Sequence, residues 1–315
     1  MNHLPQSTPF HAGELAIQSR LGVQEKIGAF GSRMIRDYLT AQHRKFFPML
    51  PSLFLGSRDA SGQMWASILS SAPGFVHAPD ARSLRIDTLP MAASPLAAAM
   101  QPGARLGVLG LQFESRRRNR ASGTVVTTGA RGFSLRIHQS FGNCPKYIQT
   151  REPNPVQRPP TVVRRGDQLH SEDIALIRRA DTFFIASGID GDADHPGVGN
   201  DVSHRGGRPG FVKVAGNALT WPDFIGNFMF NTLGNLALDP RAGLLFLDFE
   251  RGHTLQLSGT AQVIWHHPAQ AQFAGAQRFV RFQVQQVLRT QNGLGLAWKT
   301  GEPSPFNTPT GVWET

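Results

Sequence analysis

Between residues 201 and 261, apolar and β-prone runs alternate with clusters of Gly, Pro, Asn and Asp. That rhythm predicts strand, glycine turn, strand, polar loop, short helix and two further strands. The helix is predicted over residues 228–238, where Phe228, Thr232 and Leu236 recur every four residues, as do Leu233 and Ala237. Asp239-Pro240 ends it, because proline pushes its predecessor out of the helical region. Residues 243–249 and 254–264 then read as strands flanking a turn at 250–253.

The same order of signals occurs earlier. Pro73-Gly74-Phe75-Val76 recurs 136 residues later as Pro209-Gly210-Phe211-Val212. Applied without a gap, that offset carries Ser67 onto Ser203, Asp87 onto Asp223, Gly107 onto Gly243 and Ser122-Gly123-Thr124 onto Ser258-Gly259-Thr260. Two copies of one β-rich unit are therefore expected. Residues 1–47 form a helical N-terminal extension, with a broken apolar pattern from Leu15 to Leu39 that reads as a pair of helices packed across the first unit. The first unit spans 48–150 and begins with strands at 52–57 and 63–69. Pro153, Pro155, Pro159 and Pro160 make 151–170 a Pro-rich, extended linker. The second unit spans 171–297, opening with a helix capped near Ser171, and 298–315 is a C-terminal tail, either free or the stump of a linker.

Length and composition narrow the class. A chain of 315 residues accommodates two domains with separate cores. Its longest apolar runs fall far short of the roughly 18 residues that cross a bilayer, and no basic-then-apolar leader opens it. A single Cys144 excludes an internal disulfide and fits a cytoplasmic location. The net charge of +10 raises an anionic ligand or nucleic acid as partner. The densest basic run, Arg116-Arg117-Arg118-Asn119-Arg120, reads as a solvated hairpin end, with phosphate or nucleic-acid contact as alternatives. No zinc-finger or RNA-recognition signature accompanies it, which argues against nucleic acid.

Other chemistry is thin. Asp190, Asp192 and Asp194 alternate as in a calcium loop, but His195 stands at the glycine position and Asp201 where a bidentate glutamate belongs, so a mobile insertion is expected. His204, His266 and His267 lack the spacing of a metal site. No dinucleotide glycine motif, P-loop or Gly-x-Ser-x-Gly elbow occurs.

Asp201-Val202-Ser203, Pro209 to Val212, Pro222-Asp223 with Gly226-Asn227, and Asp239 to Phe246 together resemble the FMN-binding split-barrel family related to pyridoxamine 5'-phosphate oxidase. Gln139 to Ile148, containing Asn143-Cys144-Pro145-Lys146, resembles the closing motif of bacterial members. The resemblance implies a mainly β protein with flanking helices: two tandem Greek-key split barrels forming a pseudo-dimer, with FMN in the crevice between them. It implies cofactor contacts from Ser203, His204, Arg205, Asp223, Asn227 and Asn231, with Ser67, Asn143 and Lys146 from the first copy. A phosphate near Gly226-Asn227 would face the start of the helix predicted from Phe228. One intact and one degenerate site are expected, because the Gly-Asn pair is missing from the first copy and Cys-Pro-Lys from the second. The implied activity is flavin-dependent oxidoreduction of a small molecule, with an electron donor or a reductase partner; a homodimer is compatible with it. True oxidases carry an Arg-Gln-Val-Arg segment entering the last barrel strands and a Ser-Arg-Lys run for the flavin phosphate; the corresponding segments differ here, at Thr254 to Leu257 and Ile225 to Phe228, which argues against the vitamin substrate. The alternative class is a non-catalytic flavin- or haem-binding module, or a structural platform.

Overall fold

A strand covered on both faces reads as an unbroken apolar run, and two neighbouring strands of this kind in each of two sheets face each other at the centre of this molecule. The computed structural model describes residues 8–156, 159–191 and 195–313. Helices α1 (Ala12–Arg20), α2 (Gln24–Met34) and α3 (Ala41–Phe46) lead into a first sheet. Its strands are β1 (Ser52–Arg58), β2 (Met64–Ser70), β3 (Val76–His77), β4 (Ser83–Ile86), β5 (Arg105–Gln112), β6 (Arg117–Gly129) and β7 (Gly132–Gly142), with α4 (Pro95–Ala98) between β4 and β5. They pair in the order β2-β1-β5-β6-β7-β4-β3.

After β8 (Arg151–Pro155), β9 (Thr161–Gly166) and α5 (Ser171–Arg179), the pattern repeats. β10 (Thr182–Ile189), β11 (Gly199–Gly206), β12 (Lys213–Ala215), β13 (Ala218–Phe224), α6 (Asn231–Leu238), β14 (Arg241–Asp248), β15 (His253–Ile264) and β16 (Ala276–Gln291) form the second sheet. Its order, β11-β10-β14-β15-β16-β13-β12, is the first order with each strand replaced by its counterpart. The proline-rich segment is extended as expected; β9 pairs with β16, and β8 pairs with β17 (Leu296–Thr300).

β1, β5, β10 and β14 are buried along nearly their whole length. One face of each covers the core of its own sheet, and the other contributes to a third core that mixes Phe54, Leu109 and Phe113 with Phe184, Val202 and Leu245. The contacts across this middle layer are reciprocal. A Cβ on Gly107 would lie 2.5 Å from Asp201 Cα, and one on Gly243 2.5 Å from Trp65 Cα, where Asp201 is the counterpart of Trp65.

The strand registers correct the gapless repeat in one place. Ser67 and Ser203 occupy β2 and β11, Gly107 and Gly243 occupy β5 and β14, and both copies break register at the same step, Ser122/Gly123 and Ser258/Gly259. In β4, however, Leu84 faces Leu135 whereas Leu219 of β13 faces Phe282, an offset of 135, so Asp87 matches Pro222 rather than Asp223. The hairpin into β13 is one residue shorter.

Three further expectations change. The sixth helix starts at Asn231 instead of Phe228, because Phe228 and Phe230 adopt left-handed backbone with φ of 60° and 62°. The first helix packs on the second unit: Ile17 enters that unit's core, and Gly13 and Gly234 let α1 and α6 touch. The C-terminal tail is docked, with Ser304, Asn307 and Thr310 buried and Trp313 Nε1 donating to Phe211 O at 3.0 Å. Among the described residues, no helix is long and apolar enough to cross a membrane.

Candidate functional site

The antiparallel hairpin between β5 and β6 turns at residues 113–116, so Arg117 to Arg120 already belong to β6. Alternation along the strand sends Arg118 and Arg120 the same way, into a cleft where the first unit meets β11, β13 and the 225–230 loop of the second. The run read as a solvated hairpin end is thus corrected: two of its guanidiniums line the inter-unit cleft. Asn143, Ser203, His204, Arg205, Asp223, Asn227 and Asn231 line it too, together with Arg278 of β16. The cleft offers water-sized groups a volume of about 100 Å³. It opens onto a shelf of about 520 Å³ that shares Arg118, Asn143, Cys144 and Asn227 with it and adds Phe30, Met34 and Met229.

Each guanidinium is held differently. Arg118 donates from Nε to Cys144 O at 2.6 Å. Burial, reinforced by the charges of Arg120 and Arg205, lowers its pKa to about 9, leaving it cationic at neutral pH. Arg120 is buried and ion-paired to Asp201, and donates to Ser203 Oγ at 2.7 Å and to Asn231 Oδ1 at 3.0 Å. Arg205 pairs with Asp223 at 3.0 Å. Arg278, only 2% exposed, sits 5.2 Å over both the Phe230 and the Trp265 rings and 3.7 Å from Asp223. One aspartate thus faces two arginines, and with Arg118 the cleft retains net positive charge.

Several buried polar atoms here have no hydrogen-bond partner: both ring nitrogens of His204, Asn143 Oδ1, and Nε of Arg120, Arg205 and Arg278. Burial, helped by Arg118, Arg151 and Arg205, holds the His204 pKa well below the usual imidazole value, so the ring is neutral. A neutral imidazole offers one donor and one acceptor, and an unpartnered buried polar group costs about 1–3 kcal/mol. The loop beside these atoms is also strained. Of five non-glycine residues with positive φ among the described residues, Phe228 and Phe230 lie in this loop and Tyr147 stacks on Phe224 at 5.3 Å. Bulky residues in left-handed backbone cost about 1–3 kcal/mol each and concentrate at binding sites.

Two residues implied by the resemblance lie elsewhere. Lys146 is drawn toward the docked tail, with Nζ 5.3 Å from the Phe306 ring, and does not line the cleft. Ser67 lies in the counterpart crevice with Thr254, Gln256, Ile68 and Leu69. There Gln256 donates to Ser67 Oγ and Ala66 O, the same pair of bonds that Arg120 makes to Ser203 Oγ and Val202 O. The counterparts of Arg118, Arg120, His204 and Arg205 are Thr254, Gln256, Ile68 and Leu69, so the fold of the crevice is kept and its charge is lost. Asn227 turns Oδ1 back to accept from Met229 N at 3.1 Å, and Asn231 is clamped between Arg120 and Glu14.

Sequence reasoning missed Arg278 and gave phosphate contact only as an alternative for the run that holds Arg118 and Arg120. The available signal for the latter two was their period-2 spacing, which continues into an apolar strand and therefore places both on one face. Arg278 had no local signal. Of the alternating aspartates, Asp190 faces Arg58 and Arg241 at 3.5 and 3.4 Å, while Asp192 and Asp194 lie outside the described residues. The 195–199 segment packs on residues 9–11. No group of three His, Cys, Asp or Glu suited to a metal occurs among the described residues.

No protein-family model and no curated protein matches the chain. Among solved structures it is similar to a putative pyridoxamine 5'-phosphate oxidase from Lactobacillus delbrueckii, at 16% identity over 40% of this chain and 97% of that one, with TM-score 0.30. It is also similar to the FAD-binding protein from Mycobacterium smegmatis, at 13% identity over 40% and 98% with TM-score 0.28. A FAD-binding protein from Mesorhizobium loti gives 12% identity over 39% and 96%, with TM-score 0.29.

Proposed function

We propose that the chain is an FMN-binding, oxidoreductase-like tandem split barrel, in which the two units take the places of two subunits and form a pseudo-dimer with one flavin site. The observation that carries this reading is the convergence of Arg118, Arg205 and Arg278 with the unpartnered nitrogens of His204 and Asn143 Oδ1. A phosphate monoester carries between one and two negative charges at neutral pH and accepts several charge-assisted hydrogen bonds. Arg205 and Arg278, with unused Nε–H groups, fit it, and Arg118, whose Nε is engaged by Cys144 O, adds its charge. The polar edge of an isoalloxazine ring presents both donors and acceptors, which suits a neutral His204 beside Asn143. The shelf of Phe30, Met34 and Met229 suits the ring's apolar faces.

Bound there, the flavin would supply the electron or hydride transfer between a donor and a small-molecule substrate. The chain's own part is to bind and orient it: Arg118 and Arg205 neutralise the phosphate, the left-handed 228–230 loop shapes the wall, and α2 covers the shelf. The counterpart crevice, without these charges, supports one FMN per chain.

The test is a comparison of FMN with riboflavin, which lacks the phosphate. Titration by flavin fluorescence is expected to give one site, with FMN bound at least tenfold more tightly. A preparation that is colourless and binds neither compound sinks the flavin reading; equal binding of both sinks the phosphate assignment.

A further inference from the structure

The N-terminal extension reaches the cleft through one buried side chain. Glu14 of α1 is 3% exposed, and α1 can approach α6 this closely because the crossing point has no side chains: a Cβ on Gly13 would fall 2.1 Å from Gly234 O. Glu14 Oε2 accepts from His11 N at 2.9 Å, closing the first turn of α1, and Oε1 accepts from Asn231 Nδ2 at 2.5 Å. That bond leaves Asn231 only one orientation, with its oxygen turned to accept from Arg120 Nη1 at 3.0 Å. Arg120 in turn lines the cleft.

We infer that Glu14 is a positioning residue for the anion-binding cleft: through Asn231 it fixes Arg120, and its ionisation state sets the field behind that guanidinium. The inference deepens the flavin reading by adding regulation to the same site. Asn231 then acts as the clamp between helix and arginine, and not as a ligand contact.

The charged and titratable groups around Glu14 are few. They are Arg120 on β6, Asp201 on β11, His11 at the start of α1, and His195 of the loop beside it. His11 must be neutral, because its Nδ1 accepts from Gly13 N at 3.1 Å and a protonated ring has no acceptor. Its pKa is correspondingly lowered to about 4, chiefly by burial. Asp201 already balances Arg120. Burial raises the Glu14 pKa to about 8 against the lowering bonds from His11 and Asn231. Above that pH two carboxylates stand behind one guanidinium, and the cluster adds a net negative charge behind the cleft.

The test titrates the full chain with FMN at pH 7 and pH 9, together with Glu14→Gln and Glu14→Ala. Wild-type affinity is expected to fall about tenfold between the two pH values, the size of one added nearby charge. Glu14→Gln, which can still accept from Asn231 but cannot ionise, is expected to lose less affinity than the wild type over the same interval, because the partial loss of the Arg118 charge near pH 9 is common to both; Glu14→Ala should bind weakly at both. A ligand-free arm separates this inference from the flavin reading. The Asn231 side-chain amide resonance should shift with a midpoint near pH 8 in the wild type and stay fixed in Glu14→Gln. If FMN fails to bind, that arm alone decides. A resonance that does not move with pH, or a Glu14→Ala protein with wild-type affinity, overturns the inference.

Discussion

Phe54 and Phe184 stack with ring centroids 3.7 Å apart and planes 17° from parallel, at the middle of the layer between the two sheets. They are counterparts: Phe54 of β1 faces Leu109, and Phe184 of β10 faces Leu245, the residue equivalent to Leu109. Equivalent side chains of the two sheets thus touch each other directly. Each ring is fully buried. Phe54→Ala or Phe184→Ala should destabilise by about 3–5 kcal/mol. The double variant should cost clearly less than their sum, because each single change already removes the stack. Urea unfolding checks it; additive losses would mean that the rings do not depend on each other.

Gly107 and Gly243 make reciprocal contacts with the backbone of Asp201 and Trp65, so Gly107→Ala and Gly243→Ala should be similarly damaging. Each added methyl would meet main chain at 2.5 Å, which a rotamer change cannot relieve. A loss of about 1–3 kcal/mol or more is expected for each. Gly28→Ala, in the open on α2, should instead stabilise by about 0.5–1 kcal/mol. Thermal melting of the three variants distinguishes a close interface from general intolerance of alanine.

Arg118→Ala and Arg205→Ala should each weaken FMN about tenfold to a hundredfold, since charge-assisted contacts are worth about 1.5–3 kcal/mol. Lys146→Ala should leave affinity unchanged, because its ammonium lies over Phe306. Fluorescence titration of all three is decisive; a large effect at Lys146 would move the phosphate out of the cationic cleft.

His204 predicts how the protein responds to acid. Its folded-state pKa lies well below 6.5, through burial first and then the neighbouring arginines. The unfolded chain therefore binds the extra proton, and stability falls as pH drops below about 6.5. His204→Phe keeps the edge-on packing against Phe184 without a titrating ring. Between pH 7 and pH 5 the variant should lose less stability than the wild type, by chemical denaturation at each pH. Parallel losses would show that His204 is protonated in the folded protein.

Strand positions, the internal repeat and the extended proline-rich segment were legible because each is local. Alternation, turn residues and proline act within a few positions of themselves, and two copies of one pattern share a single offset. The helix after the 225–230 loop was also legible, but its start was not. Left-handed Phe230 packs on Arg278 and Phe228 on the cluster around Phe10 and Met229, and no local preference announces that.

Tertiary structure alone decided which basic residues line the cleft. Arg116 to Arg120 is a charge run on paper; strand pairing turns Arg118 and Arg120 inward, while the docked tail draws Lys146 away. It also decided that α1 belongs to the second unit, since Gly13 and Gly234 lie far apart in the chain and meet only when both units are assembled. The pattern of side chains specifies the two sheets. The cleft between them is made of residues from both, and its charge and the ionisation of Glu14 depend on desolvation and distance, which exist only after the sheets have packed.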